Sequence, residues 1–325
     1  MNSLSTLFPN GLFALSLCLA VTQTQGCTRE PASKPEVQEI SKDSLSSEKM
    51  SQFQETDDLP EATYLKADKT KILALLDEAC RIAASNNKPK SWMLWFGKKF
   101  IGVPYVGGTL DAAQEEKLVV NTSKLDCTTF VELVTALTMC AEKNESSFEA
   151  FCRHLLHVRY INGQMAYEKR QHYFTAWIDD NVKEGIIEDM QVNPPFTAIQ
   201  KINVNWMTTH SQDYKMLRGN AERLRGIKVL ESSINGKTCR YIPKGTIANN
   251  SLFRNTIHDG DIIVIVTNKK GLDTTHIGIA SWHEDGLHLL NASSIHKKVV
   301  DEPMTLKTYM SKHPVQVGIR VCRVK

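Results

Sequence analysis

The sequence predicts an α+β domain in which a helical first half packs on an antiparallel sheet supplied by the last third of the chain. Two observations carry this. Apolar residues between positions 69 and 137 recur at helical spacing, whereas the runs after position 260 are short, β-branched or alternating and bounded by Gly, Asn and Asp. Helices followed by strands that are joined by hairpin turns give an α+β arrangement, not a doubly wound parallel sheet.

The first expected helix spans 69–84, with Ile72, Leu73, Leu75, Leu76, Ala79 and Ile82 on one stripe, and ends near Ser85-Asn86-Asn87. A short second helix over 92–100 is broken by the turn residues of Gly102-Val103-Pro104-Tyr105-Val106-Gly107-Gly108. Ser123-Lys124-Leu125-Asp126 has the form of a capping box before a third helix, whose Phe130, Val131, Val134 and Leu137 keep helical spacing. That puts Cys127 in a first turn. Residues 145–187 read as further helices with polar and aromatic interruptions. Strands are expected over 227–231, 261–266, 275–282, 287–292 and 315–323, and there is no internal repeat.

With 39 basic and 36 acidic residues spread without long runs, the charge pattern argues against a nucleic-acid arm, and 42% hydrophobic residues suffice for a sizeable core. Residues 12–21 read L-F-A-L-S-L-C-L-A-V, too short to span a bilayer but of the length of a secretory leader's apolar core. Thr24-Gln25-Gly26-Cys27 follows, with the small residue before cysteine that lipoprotein processing needs, although no Lys or Arg precedes the run. The expected organisation is a leader over 1–27, a Ser-, Glu- and Pro-rich tether over 28–60, and one catalytic domain over 61–325. The expected location is the periplasm or cell envelope, with a lipidated Cys27 as one means of membrane anchoring.

Apart from Cys18 and Cys27, the cysteines are Cys80, Cys127, Cys140, Cys152, Cys239 and Cys322, with no C-x-x-C and no H-E-x-x-H. Neither a zinc knuckle nor a metalloprotease helix is indicated, so no metal or organic cofactor is expected. Cys127 is the candidate nucleophile, because unsatisfied N–H groups at a helix start favour a thiolate. His276 is the candidate base: in Thr275-His276-Ile277-Gly278-Ile279-Ala280 alternation puts it on a face of small residues with room for a partner. Asn291 is the candidate for orienting the imidazole. If 283–286 form a four-residue hairpin loop, Gly278 opposes Asn291 and the amide lies diagonally beside His276; a tight Asp285-Gly286 turn would pair Asn291 with Ala280, too far along. For each residue taken singly, a structural role is the alternative.

Tyr105-Val106-Gly107-Gly108, Asp126-Cys127, His276-Ile277-Gly278-Ile279 and Asn291-Ala292-Ser293-Ser294 follow in the order found in NlpC-type papain-like cell-wall peptidases, which the chain resembles. More narrowly, Leu125-Asp126-Cys127-Thr128-Thr129-Phe130-Val131-Glu132, Arg159-Tyr160, His172-Tyr173-Phe174, Gly260-Asp261-Ile262-Ile263 and Gly271-Leu272-Asp273 resemble the N-acetylmuramoyl-L-alanine amidase-like group, over about 69–324. The resemblance implies a papain-like fold and a muropeptide or peptidoglycan-fragment substrate, cut between N-acetylmuramic acid and L-Ala. It also implies Tyr105 and Ser293 as cleft residues. Asn291 stands where many NlpC-type enzymes carry His, Val106 replaces a Trp, and Thr129 replaces a Gly. The 149 positions from Cys127 to His276 exceed those of a compact NlpC-type domain, so an enlarged insertion should shape the groove. Within it Arg159, Arg170, His172 and Tyr173 are candidates for binding carboxylates or sugar hydroxyls, with a structural role as the alternative. Two competing readings are an endopeptidase cutting between D-Glu and the diamino acid, and a non-catalytic envelope lipoprotein that binds wall fragments.

Overall fold

A computed structural model describes residues 62–85 and 87–325. The expected leader, Cys27 and tether lie outside the described residues. In chain order come β1 (Ala62–Thr63), α1 (Lys66–Ala84), α2 (Trp92–Lys98), β2 (Leu118–Val119), α3 (Cys127–Lys143), α4 (Phe148–Arg159) and α5 (Phe174–Lys183). Then follow β3 (Ile187–Met190), β4 (Ala198–Lys201), α6 (Trp206–Thr209), α7 (Ala221–Ile234), β5 (Thr238–Pro243) and α8 (Ser251–Thr256). The chain closes with β6 (Ile262–Thr267), β7 (Thr274–Trp282), β8 (Leu287–Ser293), β9 (Lys298–Asp301), α9 (Leu306–Ser311) and β10 (Gln316–Val324). The α+β expectation holds: β1 and β2 pair in parallel at the side, and the main sheet is antiparallel throughout.

The main sheet has eight strands in the order β4-β5-β10-β6-β7-β8-β9, with β3 also pairing β10. Both faces are covered, which is why every residue of β6 is buried although its side chains alternate. Ile262, Val264, Ile277, Ile279 and Leu290 face a core shared with α1 to α4. Ile263, Ile265, Ala280, Leu289 and Val321 face a second core closed by Phe253 of α8 and by Leu306 and Met310 of α9. Gly97 lets α2 lie close on the first face: a Cβ there would stand 2.7 Å from a Leu290 methyl.

The insertion builds a third core from Tyr167, Tyr173, Val204, Met207 and the inner face of α7. One sequence expectation fails here, because 227–231 belongs to α7 and not to a strand. Ile227, Leu230 and Ile234 lie at intervals of three and four on the buried side, and the Asn220 side chain caps the start by accepting the Arg223 N–H. A five-residue window is too short to separate a period of 2 from one of 3.6. Strands β3, β4, β5 and β9, each of four to six residues, were not anticipated either.

The helix that carries Cys127 is tied to α4 by a buried ion pair. Arg159 Nε donates to Glu132 Oε2 at 2.7 Å and its Nη1 to the Val119 carbonyl at 2.8 Å, with both side chains at most 3% exposed. Removing one partner strands the other charge without water. Arg159→Ala is therefore expected to lower the unfolding free energy by about 3–5 kcal/mol in chemical denaturation, and a double replacement by apolar residues of similar volume at 132 and 159 should recover most of the loss.

Candidate active site

Asp126 is the N-cap of α3: its carboxylate accepts the Thr129 N–H at 2.8 Å, and the Thr129 hydroxyl in turn accepts the Asp126 N–H at 2.9 Å. The cap is thus one box further on than the Ser123-based pattern suggests. Ser123 instead bonds back to the Asn121 side chain in the preceding turn. The Thr at 129, where the resembling family has Gly, is the cap's second half. Cys127 follows as the first residue of the helix, partly exposed. The main chain of Ile277, next to His276, and Thr128 lie near enough to its sulfur for hydrogen bonding that favours the thiolate. Burial, and then the Asp126 carboxylate, push the thiol up to about 12, against the pull of those hydrogen bonds. Desolvation of this sulfur thus opposes the helix-start field that favours a thiolate.

Strands β7 and β8 pair Trp282 with Leu287 and Ile279 with Leu290, and the His283 N–H closes the turn on the Gly286 carbonyl at 2.8 Å. This is the four-residue loop, the one of the two alternatives that brings Asn291 beside His276. The His276 Nε2 lies 2.9 Å from Asn291 Oδ1, while Asn291 Nδ2 donates to the Leu289 carbonyl at 3.0 Å. With its NH2 group engaged by a carbonyl, the fully buried amide presents its oxygen to the ring, so Nε2 carries the hydrogen. The strand geometry selects Nε2 for this contact and leaves Nδ1 as the lone-pair nitrogen. Burial depresses the His276 pKa below its ordinary value; the Asn291 bond opposes this and the neighbouring His313 charge adds to it. Gly278 permits the close approach of β8, since a Cβ there would sit 2.8 Å from the Leu290 carbonyl oxygen.

Tyr105 is brought in by a strap. Its N–H donates to the Lys297 carbonyl at 2.9 Å, the Val106 N–H to Leu125 at 3.0 Å, and the Leu125 N–H to Pro104 at 3.1 Å. The segment therefore bridges the β8–β9 turn and the approach to α3. Burial pushes the phenol up to about 12, with charge on Cys127 and Asp126 adding to the shift. Tyr309 and His313, from α9 and just beyond it, also stand close enough to feel Cys127 and His276 respectively. Sequence reasoning missed them and Thr128. Thr128 is flagged only by adjacency to Cys127, and nothing in the sequence links α9 to this site.

The remaining candidates are held elsewhere. Arg159 is consumed by Glu132 and Val119, as described above. Arg170 donates to Asp111 at 2.6 Å, pairs with Glu116 at 3.4 Å and lies over the Tyr167 ring. The Tyr173 hydroxyl donates to Glu231 at 2.7 Å and accepts the Met207 N–H at 2.9 Å. His172 Nε2 bonds the Tyr167 carbonyl at 2.7 Å, and burial, followed by the Arg170 charge, pushes its pKa down to about 3. Ser293 is buried and accepts the His296 N–H at 3.2 Å in the β8–β9 turn. Each of these five has polar atoms bonded within the fold, and breaking those bonds would leave buried partners unpaired. Arg170 fixes the 109–117 segment that follows Tyr105. Arg223 helps by donating to the Gln114 carbonyl at 2.6 Å, as does Lys215 to those of Asp111 and Ala112 at 3.3 and 3.1 Å. Among the described residues, neither group of His, Cys, Asp and Glu near enough to hold a metal includes Cys127 or His276.

The arrangement is that of a thiol, an imidazole and a buried amide at the junction of a helix start and two antiparallel strands. Solved structures with the same architecture include an N-acetylmuramoyl-L-alanine amidase from Bacteroides uniformis, 37% identical over 72% of this chain and 97% of that one, with a TM-score of 0.67. A Bacteroides fragilis protein suggested to be a xylanase is 35% identical over 71% of this chain and 100% of that one, TM-score 0.67. A Legionella pneumophila protein, 23% identical over 80% of this chain and 95% of that one, shares the fold with a TM-score of 0.60. No curated protein matches the chain. Residues 95–319, which contain Cys127, His276, Asn291 and Tyr105, match the family described as N-acetylmuramoyl-L-alanine amidase-like, and the chain belongs to that family.

Proposed function

We propose that this protein is a cysteine-dependent N-acetylmuramoyl-L-alanine amidase acting on muropeptides, with Cys127 as nucleophile, His276 as base and Asn291 as the residue that orients the ring. The observation that carries the reading is the His276–Asn291 contact at 2.9 Å on the strand whose next residue, Ile277, lies near the Cys127 sulfur. A helix with its nucleophile at the first position, set against antiparallel strands bearing the base and the amide, also supports a relationship to papain-like enzymes. A glycosidase would need two carboxyl groups flanking the scissile bond, whereas the carboxylate beside Cys127 is Asp126, already spent on the helix cap. An amide substrate suits a thiol better.

The resting pair is neutral, thiol and imidazole. As Sγ attacks the muramic-acid carboxyl carbon, the thiol proton passes to His276 Nδ1, while Nε2–H stays on Asn291 and steadies the imidazolium. The oxyanion meets the Cys127 N–H, which in the first turn has no intrahelical acceptor. Collapse breaks the C–N bond, and His276 returns its proton to the leaving L-Ala amine. Water, deprotonated by the same Nδ1, then hydrolyses the thioester and restores the thiol. Tyr105, Thr128 and Tyr309 stand close enough to Cys127 to interact with its sulfur's charge. Export to the cell envelope through the leader over 1–27 belongs to the same proposal, since the substrate is made and remodelled there.

Defined muropeptides incubated with wild type and with Cys127→Ala, and read by mass spectrometry, should show stem peptides beginning with L-Ala from wild type alone. A truncated sugar-peptide instead of free stem peptide would mean endopeptidase cleavage, and cleavage by Cys127→Ala would rule out the thiol. The neutral pair fixes the pH behaviour. Catalysis needs unprotonated His276, so kcat/KM should fall on the acid side with a midpoint below the ordinary histidine value of 6.5. Alkylation of Cys127 in the free protein should climb roughly tenfold per pH unit above neutrality, following the thiolate fraction. A rate already at its plateau at neutral pH would show a resting thiolate–imidazolium pair.

A further inference from the structure

We propose that Cys140, Glu145 and His154 form a binding site for a transition-metal ion, zinc being the cation that best suits their donors, at the far end of the helix that carries Cys127. The three belong to different parts of one helical hairpin. Cys140 lies in the last turn of α3, which ends at Asn144 in the left-handed conformation, φ 55° and ψ 36°. That turn sends the Glu145 N–H back onto the Cys140 carbonyl at 2.9 Å, so the glutamate stands over the cysteine. Helix α4 then returns antiparallel and brings His154 Nε2 to 2.5 Å from Glu145 Oε2. The sulfur, carboxylate oxygen and ring nitrogen all lie within 4.8 Å of one another.

Bonds of about 2.0–2.3 Å to a tetrahedral zinc put ligand atoms roughly 3.3–3.8 Å apart, so side-chain shifts of about 1 Å converge these three on one ion. Glu145 can make that shift, its side chain being 36% exposed against 10% for His154. The exposed side gives an entry path and room for water as a fourth ligand. Thiolate, imidazole and carboxylate together are a zinc donor set and a poor one for calcium or magnesium, which take oxygen. The other convergent group, His283, Asp285 and His288, is unlike it. There the two imidazoles stack in near-parallel planes, 10° apart with centroids 3.9 Å apart, so their in-plane lone pairs cannot aim at one ion.

Cys140 is thirteen residues along α3 from Cys127, about 20 Å at the helical rise, so the ion takes no part in the thiol chemistry. It would cross-link α3 to α4, the pair that Arg159 and Glu132 already join nearer the catalytic end. The test uses full-length Cys127→Ala protein, which lacks the other thiol that stands beside an imidazole strand, titrated with Co2+ alone. The expected result is a thiolate-to-cobalt charge-transfer band that saturates at a single equivalent, is displaced by Zn2+ and is lost on adding Cys140→Ser. Glu145→Gln, at a partly exposed position that the fold tolerates, should keep the band but weaken binding at least about tenfold. Zn2+ should also raise the Tm of the Cys127→Ala protein and leave that of the Cys140→Ser double variant unmoved. No band in the Cys127→Ala protein, a band that survives Cys140→Ser, or unaltered affinity in Glu145→Gln would overturn the proposal.

Discussion

The reciprocal hydrogen bonds between Asp126 and Thr129 decide where α3 begins, and the rest of the site depends on that point. Because the cap is at 126, Cys127 is the first helical residue, its sulfur near the main chain of Ile277 in β7 and its N–H without an intrahelical acceptor. One residue of slippage along the helix would rotate the thiol by about 100° about the helix axis. The cap is itself held in register by the Tyr105 strap, which pairs with Leu125 on one side and Lys297 on the other. Helix start, strap and sheet edge thus fix one another.

The electrostatics follow from how dry that junction is. Asp126 could have acted as a general base, but its carboxylate is committed to the helix N-terminus, and its charge instead disfavours ionisation of the neighbouring thiol. His276 is likewise held neutral by burial. In the proposed mechanism, a thiol and an imidazole that are both uncharged at rest need little reorganisation before substrate arrives, and charge separates as the carbonyl is attacked. Asn291 serves this by accepting a hydrogen bond without bringing a charge, which a carboxylate in its place would do.

The insertion between Cys127 and His276 buttresses the segment that follows Tyr105. Its own small core, around Tyr173, Glu231 and Met207, presents Arg170, Lys215 and Arg223 to the 109–117 segment that continues the strap. Three cations grip one loop, partly through its carbonyls. The shape of the approach to Cys127 is therefore set by residues that do not touch the thiol themselves.

The sequence by itself determined the elements whose period is long or whose boundaries carry turn chemistry: α1 and α3, the hairpin of β7 and β8, and the placing of Cys127 at a helix start. These are local properties, fixed by side-chain spacing and capping chemistry within a few residues. It also put His276 and Asn291 on one strand face, and left open only which hairpin loop joined them. Tertiary structure decided what local pattern does not encode. It made 227–231 a helix, since burial of Ile227 and Leu230 against Tyr173 and its neighbours outweighs a β-branched window. It turned Nε2 of His276 to Asn291, because the Leu289 carbonyl orients the amide. It paired Arg159, Arg170 and Tyr173 with carboxylates 27, 59 and 58 residues away, which no local pattern indicates. It also set the desolvation that opposes a thiolate at Cys127, because desolvation depends on everything packed around a sulfur, and a sequence shows only the residues beside it along the chain.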